Sequence, residues 1–197
     1  KEDVYRIGYF LPKLLDADEV LVGYDDREST PEIFDALCQG ISDRGKDVVN
    51  IGYATTPMVY FATARGDYKA SVMITASHNP PEYNGLKISR ENALPVGYES
   101  GLDKLEELIK TEDFKPKNIF GEVYEKDLKS EYVEFLKQYL PDLSDLSLAV
   151  DCSNGMSGLL VKEVLGDKPI YLNEEIDGTF PNHEANPLLE KNRAKLK

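Results

Sequence analysis

Short apolar runs and stretches of helical period alternate along the first half of the chain. Residues 20–24 (VLVGY) form one apolar run, which ends in Asp25-Asp26-Arg27. Thr30-Pro31 supplies an N-cap followed by proline at the first helical position. Ile33, Phe34, Leu37, Cys38 and Ile41 follow at helical spacing, and Gly45 is placed to stop the helix. Residues 48–53 (VVNIGY) make a second run. Thr56-Pro57 repeats the cap-and-proline device, and Met58, Phe61, Ala62 and Gly66 outline a second short helix. Residues 70–76 (ASVMITA) predict a third strand. Strands that alternate with helices through short loops predict an α/β fold, a mainly parallel mixed sheet with helices on both faces.

Farther along, 86–89 (LKIS) predicts another strand and 101–110 (GLDKLEELIK) an amphipathic helix. Residues 111–123 (TEDFKPKNIFGEV) are polar, lack a period and contain proline, which marks a boundary. Residues 128–140 are helical in pattern, and 147–151, 154–166 and 168–173 predict a second strand–helix–strand unit. The chain divides on this basis into a first domain over 1–115 and an incomplete second, similar α/β domain over 116–197. Pro12 falls inside the helical stretch YRIGYFLPKLL and is expected to interrupt it.

Composition narrows the chemistry. The 197 residues carry a formal net charge of −13, and no basic patch stands out, which argues against nucleic acid as a partner. No apolar run approaches membrane-spanning length, and the first residues lack the order of a signal peptide. Cys38 and Cys152 lie far apart without metal-type spacing, as reduced core thiols of a cytoplasmic protein do. An acidic protein that handles anions has to gather its few cations and backbone N–H groups at one place.

Open parallel sheets bind ligands beyond the carboxyl ends of their strands. Three polar clusters follow strands: Asp25-Asp26-Arg27, Ala54-Thr55-Thr56, and the stretch from Thr75 to Lys87. One sheet edge should therefore hold an arginine, a serine, a histidine, an asparagine and a lysine, suited to an anion such as phosphate. Ser77 is a candidate nucleophile beside His78. Neighbours in extended chain point to opposite sides, however, so His78 is expected to be a poor base for Ser77. The Gly-x-Ser-x-Gly elbow is missing as well. A serine that carries a phosphoryl group fits better, because it needs cations and positioning rather than an adjacent base. Pro80-Pro81 stiffens the loop, and Gly85 permits a turn or a close approach.

Thr75-Ala76-Ser77-His78-Asn79-Pro80, followed by Tyr83-Asn84-Gly85-Leu86-Lys87-Ile88, resembles the phosphoserine loop of the α-D-phosphohexomutases, the phosphomannomutase/phosphoglucomutase family. Gly23–Arg27, Thr56-Pro57, Val150–Gly155 and Asp177–His183 resemble further segments of that family, in the same order. The resemblance implies that Ser77 is phosphorylated and exchanges phosphate with a hexose phosphate through a bisphosphorylated intermediate. It implies catalytic roles for Ser77, His78, Lys87 and Arg27, with Lys87 a proton-transfer group and Arg27 reaching in from the first strand's end. Asn79 and Lys87 would contact substrate. It also implies Mg²⁺, held through phosphorylated Ser77 and through aspartates of an Asp-x-Asp-Gly-Asp-Arg loop that this chain does not contain. The chain departs from the family at Ala185, where a proline is common, and lacks the family's N-terminal arginine segment and its later sugar-recognition domains. It is expected to be a first domain and part of a second, inactive alone. The competing reading is a catalytically silent sugar-phosphate-binding or regulatory module.

Other clusters point to structure. The run Ser153–Gly158 is expected to be a helix cap and tight turn, His183 an exposed loop histidine, and the acidic stretch Glu99–Glu107 a solvated helix face.

Overall fold

The strand runs of the first half assemble as one mixed sheet. A computed structural model describes residues 1–196. Its strands are β1 (Glu19–Tyr24), β2 (Asp47–Tyr53), β3 (Ala70–Ile74), β4 (Leu86–Arg90), β5 (Leu94–Pro95) and β6 (Val123–Glu125), in the order β5-β4-β3-β1-β2-β6. β1 pairs in parallel with both β2 and β3, and β6 extends the parallel part beyond β2. β4 and β5 add an antiparallel edge. This is the mainly parallel mixed sheet that the pattern predicts.

Its strands are apolar on both sides because both sides are covered. Val20, Val22, Val48, Val72 and Ile74 enter one core, with Leu37 and Ile41 opposite them. Leu21, Val49, Ile51 and Met73 enter the other, against Met58 and Val59. Helices α1 (Glu2–Leu15), α2 (Thr30–Asp43) and α4 (Asp103–Thr111) serve the first core; α3 (Thr56–Arg65) and α5 (Lys129–Lys137) serve the second. α1 and α2 cross at two glycines. A Cβ on Gly40 would lie 2.1 Å from the Tyr5 carbonyl oxygen, and one on Gly8 would lie 2.3 Å from that of Leu37.

Three local expectations change. α1 runs through Pro12 to Leu15. Proline has no N–H for the carbonyl four residues back, but Phe10, Leu11 and Pro12 are all buried, and that packing holds the turn. The N-cap of α3 is Thr55, whose Oγ1 accepts from Met58 N at 3.3 Å, one residue before the expected Thr56. The N-cap of α2 is Ser29, and Thr30 Oγ1 instead donates to Asp25 at 3.4 Å.

The polar segment 111–123 straps across one end of α1 and α2. Phe114 packs edge-on against Tyr5 and Tyr9. Lys117 N donates to Asp43 O at 2.9 Å and Gly121 N to Ser42 O at 3.0 Å. Beyond α5, β7 (Ala149–Asp151) and β8 (Ile170–Leu172) form a separate parallel pair, connected through a 3-10 turn at Met156–Leu159 and the short α6 (Val161–Leu165). Leu160 ties this unit to the second core.

Candidate active site

Because β1 lies between β2 and β3, the chain crosses β1 on its way from β2 to β3. The turns after β1 and β3 thus become neighbours at the switch point of the sheet, the place where open α/β sheets hold ligands. A solvent-open cavity of about 340 Å³ lies there. Asp25, Asp26, Thr55 and Thr56 line it from the β1 and β2 ends, and Thr75, Ser77 and His78 from the β3 end. Asn154, Gly155 and Phe180 close it from the β7–β8 unit. The three polar clusters do share one edge.

Ser77 is exposed and its backbone is left-handed, at φ 59°. A side-chain-bearing residue occupies that region only when its surroundings hold it there. Its N–H donates to Thr75 Oγ1 at 2.8 Å, and Thr75 Oγ1 donates to Asp25 Oδ2 at 2.6 Å. The left-handed turn also changes the place of His78. Instead of pointing away, its Nδ1 lies 3.4 Å from Ser77 Oγ. The expectation of opposite sides assumed extended chain at a residue that is not extended.

Arg27 is the largest difference from expectation. Its guanidinium is buried and turned into the loop. Nη1 donates to the carbonyls of Pro80 (2.7 Å) and Tyr83 (2.9 Å), and Nη2 to those of Ser77 (2.8 Å) and Asn79 (3.1 Å). Nε donates to Asp25 Oδ2 at 3.0 Å. Five N–H donors meet five acceptors, which leaves none for a ligand. Arg27 builds the loop; it does not reach for an anion across the cavity.

Asn79 contributes its backbone: its N–H donates to Ala76 O, its carbonyl serves Arg27, and its side chain is exposed. Lys87 sits on β4 opposite Met73 and so shares the sheet face of a cavity-lining residue, although it does not line the cavity itself. Among the described residues its ammonium has no hydrogen-bond or ion-pair partner, so it is a cation still open to a ligand. In the sequence Asn84 is only part of the loop pattern. Its Nδ2 donates to Ser29 Oγ (3.0 Å) and Thr30 Oγ1 (3.1 Å), pinning the far end of the loop to the start of α2. Tyr53 O–H donates to the cavity-lining Asp26; that bond and then burial push the phenol up to about 12, so it stays protonated.

The sequence model of the phosphoglucomutase/phosphomannomutase family, alpha/beta/alpha domain I, matches residues 1–116. The chain belongs to that family. It is 35% identical over 193 residues to a protein named phosphohexose mutases from Xanthomonas campestris, covering 95% of this chain and 43% of that protein. A phosphoglucomutase from Neisseria meningitidis is 35% identical over 176 residues, 88% of this chain and 38% of its own length. A crystal structure of a phosphoglucomutase/phosphomannomutase family protein from Burkholderia thailandensis superposes with a TM-score of 0.85 at 32% identity, over 100% of this chain and 46% of that one. The chain thus spans less than half the length of these relatives.

The Mg²⁺ implied by the resemblance does not fit the residues present. Such an ion takes about six oxygen ligands. Ser77 offers one, while the oxygens of Asp25 are engaged by Arg27 and Thr75, and those of Asp26 by Tyr53 and the Gly178 N–H. Among the described residues no three His, Cys, Asp or Glu side chains are grouped to hold a metal ion.

Two polar residues of the β7–β8 unit serve its structure, and one of them, His183, is less exposed than its sequence suggests. Asn154 is buried, donating from Nδ2 to Glu175 O at 2.9 Å and accepting from Asn182 at Oδ1. His183 is not an exposed loop residue: its side chain is 14% exposed and its Nε2 lies 3.0 Å from Asp151 Oδ2.

Proposed function

We propose that this chain carries the phosphoryl-transfer serine of a phosphohexomutase that interconverts hexose 6-phosphate and hexose 1-phosphate. The observation that carries the reading is Ser77: an exposed hydroxyl on a clamped, left-handed turn at the mouth of the switch-point cavity. In the first transfer the phosphoserine O–P bond breaks as a sugar hydroxyl oxygen bonds to phosphorus, and the hydroxyl proton passes to a base. In the second, Ser77 Oγ takes the other phosphoryl group of the bisphosphate, and the released sugar oxygen regains a proton. Such transfer demands positioning and charge compensation more than covalent activation of the serine. His78, beside Oγ, and the unengaged Lys87 are the residues of this chain for proton handling and for the phosphoryl charge. Asn79 contacts the substrate phosphate in this reading. Arg27 acts on the loop.

The whole protein is proposed to use Mg²⁺ with ligands mostly from outside this chain. We place it in the cytoplasm, where its two buried cysteines stay reduced; burial first, then the charge of Asp35, pushes the Cys38 thiol up to about 12. Residues 1–115 are proposed as the domain bearing the loop and 116–197 as the start of a second, with β6 and α5 packed back on the first.

The test is made on the intact protein. Mass spectrometry of peptides spanning 70–90 should find one phosphate on Ser77, and Ser77→Ala should lower kcat by on the order of a thousandfold or more without unfolding the protein. Lys87→Ala should lower kcat much more than it raises KM, because a charge beside the reacting oxygen acts in the transition state. Phosphate on another residue, or near-normal turnover by Ser77→Ala with glucose and mannose phosphates, would overturn the assignment.

A further inference from the structure

We propose that Arg27 is a positioning residue for Ser77 and that Phe180, from the segment after β8, is the latch that keeps Arg27 in place. The proposal rests on the phosphoryl-transfer reading of Ser77. A guanidinium is a rigid plane, so one side chain fixes the relative positions of the four loop carbonyls that it binds, those of Ser77, Asn79, Pro80 and Tyr83. The left-handed backbone at Ser77 depends on such a frame.

The guanidinium itself is held from two directions. Asp25 takes Nε at 3.0 Å, and the Phe180 ring covers one side of the plane, with its centroid 5.3 Å from Cζ. Phe180 is brought there by a very close backbone approach. A Cβ on Gly178 would fall 1.7 Å from the Asp26 carbonyl oxygen, and Gly178 N donates to Asp26 Oδ2 at 3.3 Å. The segment of the β7–β8 unit thus lies on the turn that contains Arg27, and Arg27 lies on the loop that contains Ser77. The placement of the second unit is transmitted to the reacting hydroxyl through one side chain. Phe180 also lines the cavity that Ser77 and His78 line, so the readout that isolates its action through Arg27 is the mobility of the loop itself.

The experiment compares the intact protein with its Phe180→Ala, Phe180→Tyr and Arg27→Lys variants, by hydrogen–deuterium exchange of the 75–85 peptide and by turnover of glucose and mannose phosphates. Phe180→Ala should speed exchange of that peptide and lower kcat, each by about tenfold, with KM within about twofold. Phe180→Tyr keeps the ring and should restore both. Arg27→Lys replaces a fork by a point charge that cannot span four carbonyls, and should cost about a hundredfold in kcat. Unchanged exchange in Phe180→Ala overturns the latch, and so does a rise in KM at constant kcat. Phosphate on Ser77 is read separately. Its absence together with a responsive loop would refute the phosphoserine reading and support the latch; its presence together with an unresponsive loop would refute the latch alone.

Discussion

Ser77 adopts a backbone conformation that a residue with a Cβ avoids, at φ 59°, and the neighbouring groups exist to keep it there. Holding an L-residue in the left-handed region costs about 1–2 kcal/mol, and glycine is largely exempt. Ser77→Gly should therefore be more stable than Ser77→Ala by about 1 kcal/mol, with both inactive. Urea unfolding of the two variants decides it; equal midpoints would mean that the turn relaxes when the hydroxyl is gone. Arg27 teaches the complementary lesson. A buried arginine beside an acidic turn invites reading as an anion ligand, yet five protein acceptors use all of its donors.

At the scale of elements, α1 and α2 approach closely because neither Gly8 nor Gly40 presents a side chain at the crossing. Gly40→Ala would drive a methyl into backbone 2.1 Å away, and backbone cannot step aside as a flexible side chain can. A loss of about 1–3 kcal/mol is expected from that overpacking, measurable as a lower thermal midpoint; an unchanged midpoint would show that the helices slide apart freely. The β7–β8 pair depends on a polar tie instead. Burial pushes the Asp151 carboxyl up, but the Ser153 N–H, the Asn173 amide and His183 together outweigh it and hold it below its ordinary value of 3.8. The folded value is the lower one, so the stabilisation is complete above the unfolded value and is lost as pH falls through the folded one. Asp151→Asn should remove this acid-dependent part, so that its melting temperature falls less than that of the parent between about pH 5 and about pH 2. Parallel acid limbs would show that Asp151 contributes nothing to them.

For the whole molecule, the site is a meeting of two units across a cavity, and its charge balance is unfavourable to phosphate. Asp25 and Asp26 line it, Arg27 is consumed by the loop, and the formal net charge of the chain is −13. A transferring phosphoryl group needs its charge neutralised by cations. The 197-residue chain alone should accordingly show no measurable mutase turnover with glucose or mannose 6-phosphate, even when Ser77 is phosphorylated. Coupled assays at high chain concentration test this, and turnover at a rate typical of an intact enzyme, on the order of 1–1,000 per second, would refute it.

The order of strands and helices was legible in the sequence because it follows from local periodicity, as in the apolar runs of β1, β2 and β3 and the helical spacing of Ile33 to Ile41. The rule that loops gather at the carboxyl edge of a parallel sheet brings Arg27, Thr55 and Ser77 to one place from the sequence alone. Tertiary structure decided what each of them does there. The four carbonyl acceptors of Arg27 lie about fifty residues downstream, Ser29 meets Asn84 across a similar interval, and Phe180 arrives from the far unit. Nothing local to Arg27 distinguishes a ligand-facing guanidinium from one enclosed by a distant loop. Likewise, the contact of His78 with Ser77 depends on a left-handed turn imposed from outside by Thr75, Asp25 and Arg27. Periodicity is a property of neighbouring residues, whereas the aim of a side chain is set by whichever groups the folded chain packs around it.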